Sequence, residues 1–371
     1  MKKRFIHFLC FLLILSPILA QKISKDKKAI IVALDQKEAF YQKTALTIWN
    51  YAEIGYQEHK SSQLLQNILK NEGFALEVGV AGLPTGFVAS YGSGKPVISM
   101  LAEFDALPGV SQEAVPFRKE RTDGHLSGHA CGHHLFGTGI VSAAIEVKNW
   151  MQNNKIKGTL RIHGTPAEEG GSGKVYMARE GLFDDVDMSM YWHAGNQNSV
   201  RVASNLAIAS VKYRFKGIST HAAGAPERGR SALDGVEAMN YMMNMMREHI
   251  SSASRVHYVI TKGGEAPNVV PAHAEVYYFF RHPDMRVVKD LLERSIKAAE
   301  GAAMGTGTSM TYEMTGGSFN ILPNKILSEV VHANLEMVGG VDYTEEEHLF
   351  AKTLMNTFNS EGLSPEMAAS V

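Results

Sequence analysis

Apolar positions recur at helical spacing in two stretches near the start of the chain. Residues 26–53 carry Ile30, Ala33, Leu34, Phe40, Ala45, Ile48 and Trp49, and residues 58–71 carry Leu64, Leu65, Ile68 and Leu69. Both stretches read as amphipathic helices. The period then changes. Residues 74–80, 85–91 and 96–104 read as strands, with Gly92-Ser93-Gly94-Lys95 as a turn between the last two. A loop of about twenty residues follows, which is long for a compact domain and therefore a candidate for function. Helical patterning resumes as far as Trp150, with Gly137, Gly139, Ala143 and Ala144 permitting close packing. Residues 158–165 form a strand, 174–180 a short helix with Gly181 as its C-cap, and 186–192 another strand. Strand and helix alternate from 96 to 193, the pattern of an α/β sheet with ligands at its strand ends.

The texture changes near residue 206. Residues 206–217 alternate as a half-exposed strand, and 231–249 form a methionine-rich amphipathic helix. Strands at 256–261 and 272–280, a helix at 284–302 and a strand at 308–314 complete the order β-α-β-β-α-β. That order is the signature of a ferredoxin-like unit. The reading is a first domain over 26–205, an inserted domain over 206–317, and a return to the first domain over 318–371, helical from Asn324 to Met337.

A length of 371 residues suffices for two domains, and a net charge of -1 argues against nucleic acid or an anionic membrane as a partner. The N-terminus differs from the rest. Met1-Lys2-Lys3-Arg4 is basic, Phe8 to Ile14 is apolar, and Ser16-Pro17-Ile18-Leu19-Ala20 follows. This is the pattern of a secretory signal peptide cleaved after Ala20, which predicts an exported protein, periplasmic or secreted. Cys10 leaves with the leader, so Cys131 stands alone and no intrachain disulfide forms. A lone thiol is usually a small buried residue, but its neighbours here make it a candidate metal ligand or nucleophile.

Those neighbours are histidines: Gly128-His129-Ala130-Cys131-Gly132-His133-His134. Cys131 and His133 can reach one metal if the chain turns sharply, and Gly132 permits the turn. Glu168-Glu169, after a buried strand and before two glycines, can divide labour: one carboxylate binds metal while the other takes a proton from the attacking water. An isolated Glu-Glu pair is more often a solvated surface feature. His193 ends an apolar strand, where a satisfied histidine is the ordinary alternative. Asp105 lies with Glu103 on the same side of an extended segment, and it can hold a metal, orient a ligand or act as a turn carboxylate before Pro108. His221 sits in a loop after a strand. Asn268 and Arg281 lie in or beside apolar runs, and a guanidinium at a strand end can clamp a carboxylate or serve a structural pair.

Together the motifs Glu103-Phe104-Asp105-Ala106-Leu107-Pro108, His129-Ala130-Cys131-Gly132-His133, Pro166-Ala167-Glu168-Glu169-Gly170-Gly171, Trp192-His193, Thr220-His221-Ala222-Ala223 and Asn268-Val269-Val270-Pro271 are specific. From about residue 35 to 340 the chain resembles the amidohydrolase branch of the aminoacylase/carboxypeptidase-G metallopeptidase superfamily, the group related to aminobenzoyl-glutamate hydrolase and indole-acetyl-amino-acid hydrolases. The resemblance implies an α/β catalytic domain, its central mixed sheet flanked by helices, with an inserted ferredoxin-like lid that makes a homodimer. It implies Cys131, His133, Glu169 and His193 as ligands of divalent metal, zinc or manganese, two ions per subunit. It implies Glu168 as general base, Asp105 as support, and His221 as an oxyanion group reaching a partner's site. Asn268 and Arg281 would hold the substrate's terminal carboxylate. The implied reaction is hydrolysis of an amide joining an acyl or aminobenzoyl group to an amino acid. The family's last metal-binding histidine, in a Gly/Pro-rich motif beyond the lid, has no counterpart here. His332 and His348 stand in helix-like settings, and Ser360-Glu361-Gly362-Leu363-Ser364-Pro365 shows no such motif. The resemblance thus implies a C-terminally truncated chain with one weakened metal position. Two other readings use the same residues: a non-catalytic small-molecule-binding remnant, and a hydrolase with Cys131 as nucleophile.

Overall fold

The computed structural model describes residues 24–195 and 197–358. The leader expected at residues 1–20 and the tail Ser360–Pro365 lie outside the described residues. The apolar stripe over 26–53 folds as two helices, α1 (Lys25–Gln36) and α2 (Glu38–Tyr51). Lys37 interrupts the run with φ −107, and its amide is satisfied by the Leu34 and Asp35 carbonyls. Its ammonium reaches the buried carboxylate of Glu146 at 2.6 Å. α3 (His59–Asn71) follows, then β1 (Ala75–Val78), β2 (Phe87–Ser93) and β3 (Val97–Ala102). The long loop is pinched at its base by a two-residue ladder between β4 (Leu107–Pro108) and β5 (Ser127–Gly128). Next come α4 (His133–Asn154), β6 (Gly158–Gly164), the distorted helical turn α5 (Glu168–Gly171), α6 (Gly173–Arg179) and β7 (Met188–Met190).

The first sheet has the order β1-β2-β6-β3-β7. β1 and β2 pair antiparallel, as do β2 and β6, whereas β3 runs parallel to both β6 and β7. The sheet is therefore mixed, and its three parallel strands finish on the same side. β7 is shorter than the expected 186–192. It has one partner strand, and after Met190 the chain swings away so that Trp192 packs edge-on against Phe136 at 4.6 Å. The core between sheet and helices is built by Ile48, Leu65, Leu69, Phe87, Phe104, Ile140, Val141 and Ile162. α4 lies close to the sheet because Gly137 has no side chain. A Cβ there would stand 2.6 Å from the Glu103 carbonyl and 3.0 Å from Leu65 Cδ1.

The second sheet is made by β8 (Ala207–Lys216), β9 (Arg255–Lys262), β10 (His273–His282) and β11 (Ser309–Ser318), with α7 (Ala232–Met246) after β8 and α8 (Met285–Thr306) after β10. Its order, β11-β8-β10-β9, is antiparallel throughout and realises the βαββαβ expectation. Alternation explains it. Ala209, Val211, Tyr213 and Phe215 of β8 and Val276, Tyr278 and Phe280 of β10 are buried beneath α7 and α8. Ile208, Ser210, Lys212, Phe279 and Arg281 occupy the alternate positions and so take the opposite face. β11 carries a bulge between Met314 and Gly316. A Cβ at Gly316 would lie 2.8 Å from Ser172 Oγ and 3.0 Å from Ser210 Oγ, so this outer face touches the segment just after α5. α9 (Lys325–Val338) and α10 (Glu345–Met355) close the described chain.

One buried histidine ties sheet stability to pH. His163 on β6 sits between the Ser99 hydroxyl (2.8 Å from Nδ1) and the Leu182 carbonyl (3.2 Å from Nε2). A carbonyl only accepts, so Nε2 donates to Leu182 and Nδ1 accepts from Ser99. Burial pushes the His163 pKa down to about 4, with the Leu182 bond opposing and Arg161 adding to the depression. The unfolded chain therefore binds a proton between pH 6.5 and 4 that the native state refuses. Stability is full above about pH 6.5 and falls as pH falls through that window, on the order of 3 kcal/mol for this one group. Urea-unfolding midpoints measured from pH 7 to 4.5 should show the decline, and His163→Gln should make it shallower, with the buried His129 and His134 supplying the remainder.

Candidate metal and active site

The parallel strands deliver the candidate residues. β3 runs into Glu103 and Asp105, β6 into Glu168 and Glu169, and the chain beyond β7 into His193. Ligand sites form beyond the carboxyl ends of parallel strands in this way. Cys131 and His133 arrive from the other direction, at the start of α4. Gly132 caps that helix with φ +92, the sharp turn that a side chain would resist.

Asp105 organises the centre. It is 1% exposed. Its Oδ1 stands 2.8 Å from His133 Nδ1, and its Oδ2 accepts the Glu169 amide at 2.9 Å. With Nδ1 donating to Asp105, the Nε2 edge of His133 is left to face the cleft. Glu103 Oε2 lies 3.2 Å from Nε2, and Glu168 and Glu169 each place an oxygen at 3.8 Å. Yet His133 Nε2 and Glu103 Oε2 are buried with no hydrogen-bond partner among the described residues. Donor atoms of Cys131, His133 and Glu169 all lie within 4.8 Å of one another. His193 joins through Nε2, 3.2 Å from Cys131 Sγ. Thiol, imidazole and carboxylate around unsatisfied buried atoms fit a divalent cation.

A contorted turn aims the two glutamates. Ala167 and Ser172 take left-handed conformations at φ +52 and +60, with Gly170 at +98 between them. Such geometry is costly for alanine and serine and persists only where the surroundings enforce it. Residues 55–58 supply that enforcement. The buried Glu58 accepts the Ala167 amide at 2.7 Å and the Thr85 hydroxyl at 2.9 Å, and Tyr56 donates its phenol to the Gly171 carbonyl. A Cβ at Gly55 would stand 2.9 Å from that of Ala167. Sequence reading missed this frame, because Gly55, Tyr56 and Glu58 resemble ordinary helix-entry residues. It also gave no role to Lys174, whose Nζ lies 2.5 Å from Glu103 Oε1. Glu103 itself was legible, two residues from Asp105 on the same side of the strand.

The electrostatics call for a cation. Burial pushes the Cys131 thiol up to about 12, and Glu169, Glu168 and Glu103 add to the shift. A thiol so surrounded is no nucleophile near neutral pH, which counts against the cysteine-hydrolase reading. Burial alone would drive His133 down, but Asp105, Glu103 and Glu168 outweigh it and raise its pKa. Burial would likewise raise Asp105, yet the His133 and Glu169 bonds hold it below the ordinary carboxylate range. Burial and Glu103 raise Glu168, with Lys174 partly opposing. His129 and His134 take no part in the cluster. Their rings pack at 5.0 Å, His129 reaches the Ile48 carbonyl, and burial lowers both to about 4.

The remaining expected residues belong to the second sheet and its loops. His221 and Asn268 come together: His221 bridges to Val269, and the Ala222 amide donates to the Asn268 carbonyl at 3.0 Å. Arg281 does not join them. It stands near the far end of β10, opposite Ile208, while Asn268 precedes the near end. The strand from His273 to Arg281 alone spans roughly 27 Å at about 3.4 Å per residue. Asn268 and Arg281 of one chain therefore stand too far apart to grip the same carboxylate, and only residues of two copies could share one.

The profile of peptidase family M20/M25/M40 matches residues 100–360, from β3 through α10. The chain is 41% identical over 329 residues to one of the p-aminobenzoyl-glutamate hydrolase subunits of Escherichia coli, covering 88% of this chain and 68% of that one. In fold it resembles an aminobenzoyl-glutamate utilization protein from Klebsiella pneumoniae, with TM-score 0.66, 19% identity, and 88% and 91% of the two chains covered. It also resembles a dinuclear metal-binding M20 peptidase from Bacillus subtilis, with TM-score 0.55, 20% identity, and 81% and 78% covered.

Asp105→Asn tests the geometry. The amide keeps the shape but weakens the grip on the His133 and Glu169 groups. Metal affinity should fall about ten- to a hundredfold, read by competition with a chromogenic chelator, while the unfolding midpoint of the metal-free protein moves far less than in Asp105→Ala.

Proposed function

The chain belongs to peptidase family M20/M25/M40, and on that premise we propose that it hydrolyses the amide joining an aminobenzoyl or related acyl group to an amino acid. One observation carries the reading. Glu168 faces the same His133 Nε2 as Glu169, each at 3.8 Å, so a proton acceptor stands beside the metal-binding donors. The proposed donors are Cys131, His133, Glu169 and His193, for zinc or manganese, with two ions per subunit as the fuller reading. When bound, the metal polarises the amide carbonyl and acidifies water.

The protein's own groups do the rest. Glu168 takes the proton from the attacking water and returns it to the leaving nitrogen as the carbon–nitrogen bond breaks. Asp105 keeps His133 and the Glu169 backbone in register throughout. Arg281, on the sheet face that meets Ser172, is the proposed carboxylate clamp for the chain's own site. His221 and Asn268, at the other end of that sheet, are proposed to serve the site of a second copy. This arrangement supports a homodimer formed through the second sheet. The Escherichia coli relative is named as one subunit of a hydrolase, so a different chain is the other partner to seek. Residues 1–20 support export to the periplasm or beyond.

Two outcomes test these assignments. Glu168→Gln should lower kcat on aminobenzoyl-glutamate by about a hundred- to ten-thousandfold, with metal content and KM nearly unchanged. A parallel loss of metal would refute the division of labour between the glutamates. Separately, mixing inactive Glu168→Gln protein with inactive His221→Ala protein should restore turnover, because a mixed pair holds one intact site. Absence of any recovery after subunit exchange would place His221 in its own chain's site.

A further inference from the structure

The outer face of the second sheet holds two arginines directly opposite each other. Arg281 on β10 is in register with Arg255 on β9. Side chains so paired have Cβ atoms about 4.5–5.5 Å apart, and like charges at that spacing repel. Neither arginine has an acidic partner among the described residues. Arg255 gives Nη1 to the Ser252 and Ser254 carbonyls at 2.7 and 2.8 Å. Arg281 lies over the Phe279 ring, 5.3 Å from its centroid. Nearby acids are engaged elsewhere: Glu275 by Arg214 and Lys212, and Asp284 by Arg286. A sheet that keeps two unneutralised guanidinium groups opposed implies that an anion completes them.

The position favours a substrate anion. Next in register on this face stand His257 and Phe279, then Ser210 beside Phe279, then Gly316, which meets Ser172. The arginine pair thus lies about two to three strand spacings, roughly 10–15 Å, across the sheet from Gly316, where this face meets the end of the turn that carries Glu168 and Glu169. Beside Arg255 is a cavity of about 200 Å³, lined in part by Arg247, Ser251, Ser254 and His257. The Ser254 hydroxyl is buried there, without a hydrogen-bond partner among the described residues. An unpartnered donor beside a guanidinium suits a carboxylate.

We propose that Arg255 is a specificity residue for a second carboxylate. Arg281 takes the α-carboxylate of the leaving amino acid, and Arg255 takes the carboxylate of its side chain. The chain would then select amides of acidic amino acids, glutamate or aspartate, over neutral ones. This rests on the amidohydrolase reading and adds to it a named discriminating group.

The test compares metal-loaded protein on aminobenzoyl-glutamate and aminobenzoyl-alanine. Wild type should favour the glutamyl compound. Arg255→Gln should lose about ten- to a hundredfold on it, the range of one charge-assisted hydrogen bond, mainly through KM, and little on the alanyl compound. Arg281→Gln should lose on both. Arg255→Lys should keep part of the preference, whereas a variant that merely misfolds would lose both substrates together. Equal effects of Arg255→Gln on the two compounds, or none, would overturn the proposal. If neither compound is cleaved by wild type, the amidohydrolase reading fails. Calorimetric binding of the same pair then decides for Arg255: selective loss of the glutamyl ligand supports it, and equal affinities refute it.

Discussion

A single buried carboxylate holds the site together. Asp105 grips the His133 ring with one oxygen and the Glu169 amide with the other. In doing so it joins the end of β3, the start of α4 and the turn beyond β6. Two candidate donors thereby depend on one side chain, and so does the direction in which His133 presents Nε2. Hydrogen bonds to an ionised, buried group are among the stronger ones available to a protein. The same bonds keep Asp105 ionised against the cost of its burial. Fold and chemistry meet at this residue, since losing its side chain would free the turn and the ring at once.

Around Asp105 the charges are unbalanced. Glu103, Glu168 and Glu169 converge on His133, and Lys174 is the cation that reaches Glu103. A cluster of that kind raises the Cys131 thiol and leaves buried atoms unsatisfied. In isolation it opposes folding; with a divalent cation it becomes attractive. This is why the cluster resembles a metal centre more than a thiol enzyme's site, although both use a cysteine beside histidines.

Much of this was legible in the residues. Glu103 and Asp105 alternate correctly to share a side, Gly132 marks the turn between Cys131 and His133, and the period change near residue 206 announces the second sheet. What was not legible depends on long-range pairing. The frame around Ala167 joins residues 109 positions apart, as in the Glu58 bond to the Ala167 amide. The separation of Asn268 from Arg281 needs the length and register of β10, which spacing in sequence does not convey. The opposed pair of Arg255 and Arg281 has the same origin, because cross-strand partners are fixed by the ladder and not by local pattern. The break at Lys37 between the first two helices was likewise not legible, and the Lys37 partner, Glu146, is distant in sequence.

The loop over residues 109–126 is closed at its base by the ladder of Leu107–Pro108 with Ser127–Gly128. Gly128 makes the seam tight, since a Cβ there would stand 2.4 Å from the Val110 carbonyl. Arg121 pins the loop to α2 through the Trp49 and Asn50 carbonyls and the Trp49 ring. Asp105 lies just before this seam and Cys131 just after it. The clasp mechanically insulates both from whatever the loop does. Away from Val110 and Arg121, which build the seam and the anchor, the loop's span is separated from the donors on either side. The clasp therefore gives the scaffold a place where its repertoire can diversify over evolutionary time while the chemistry stays fixed.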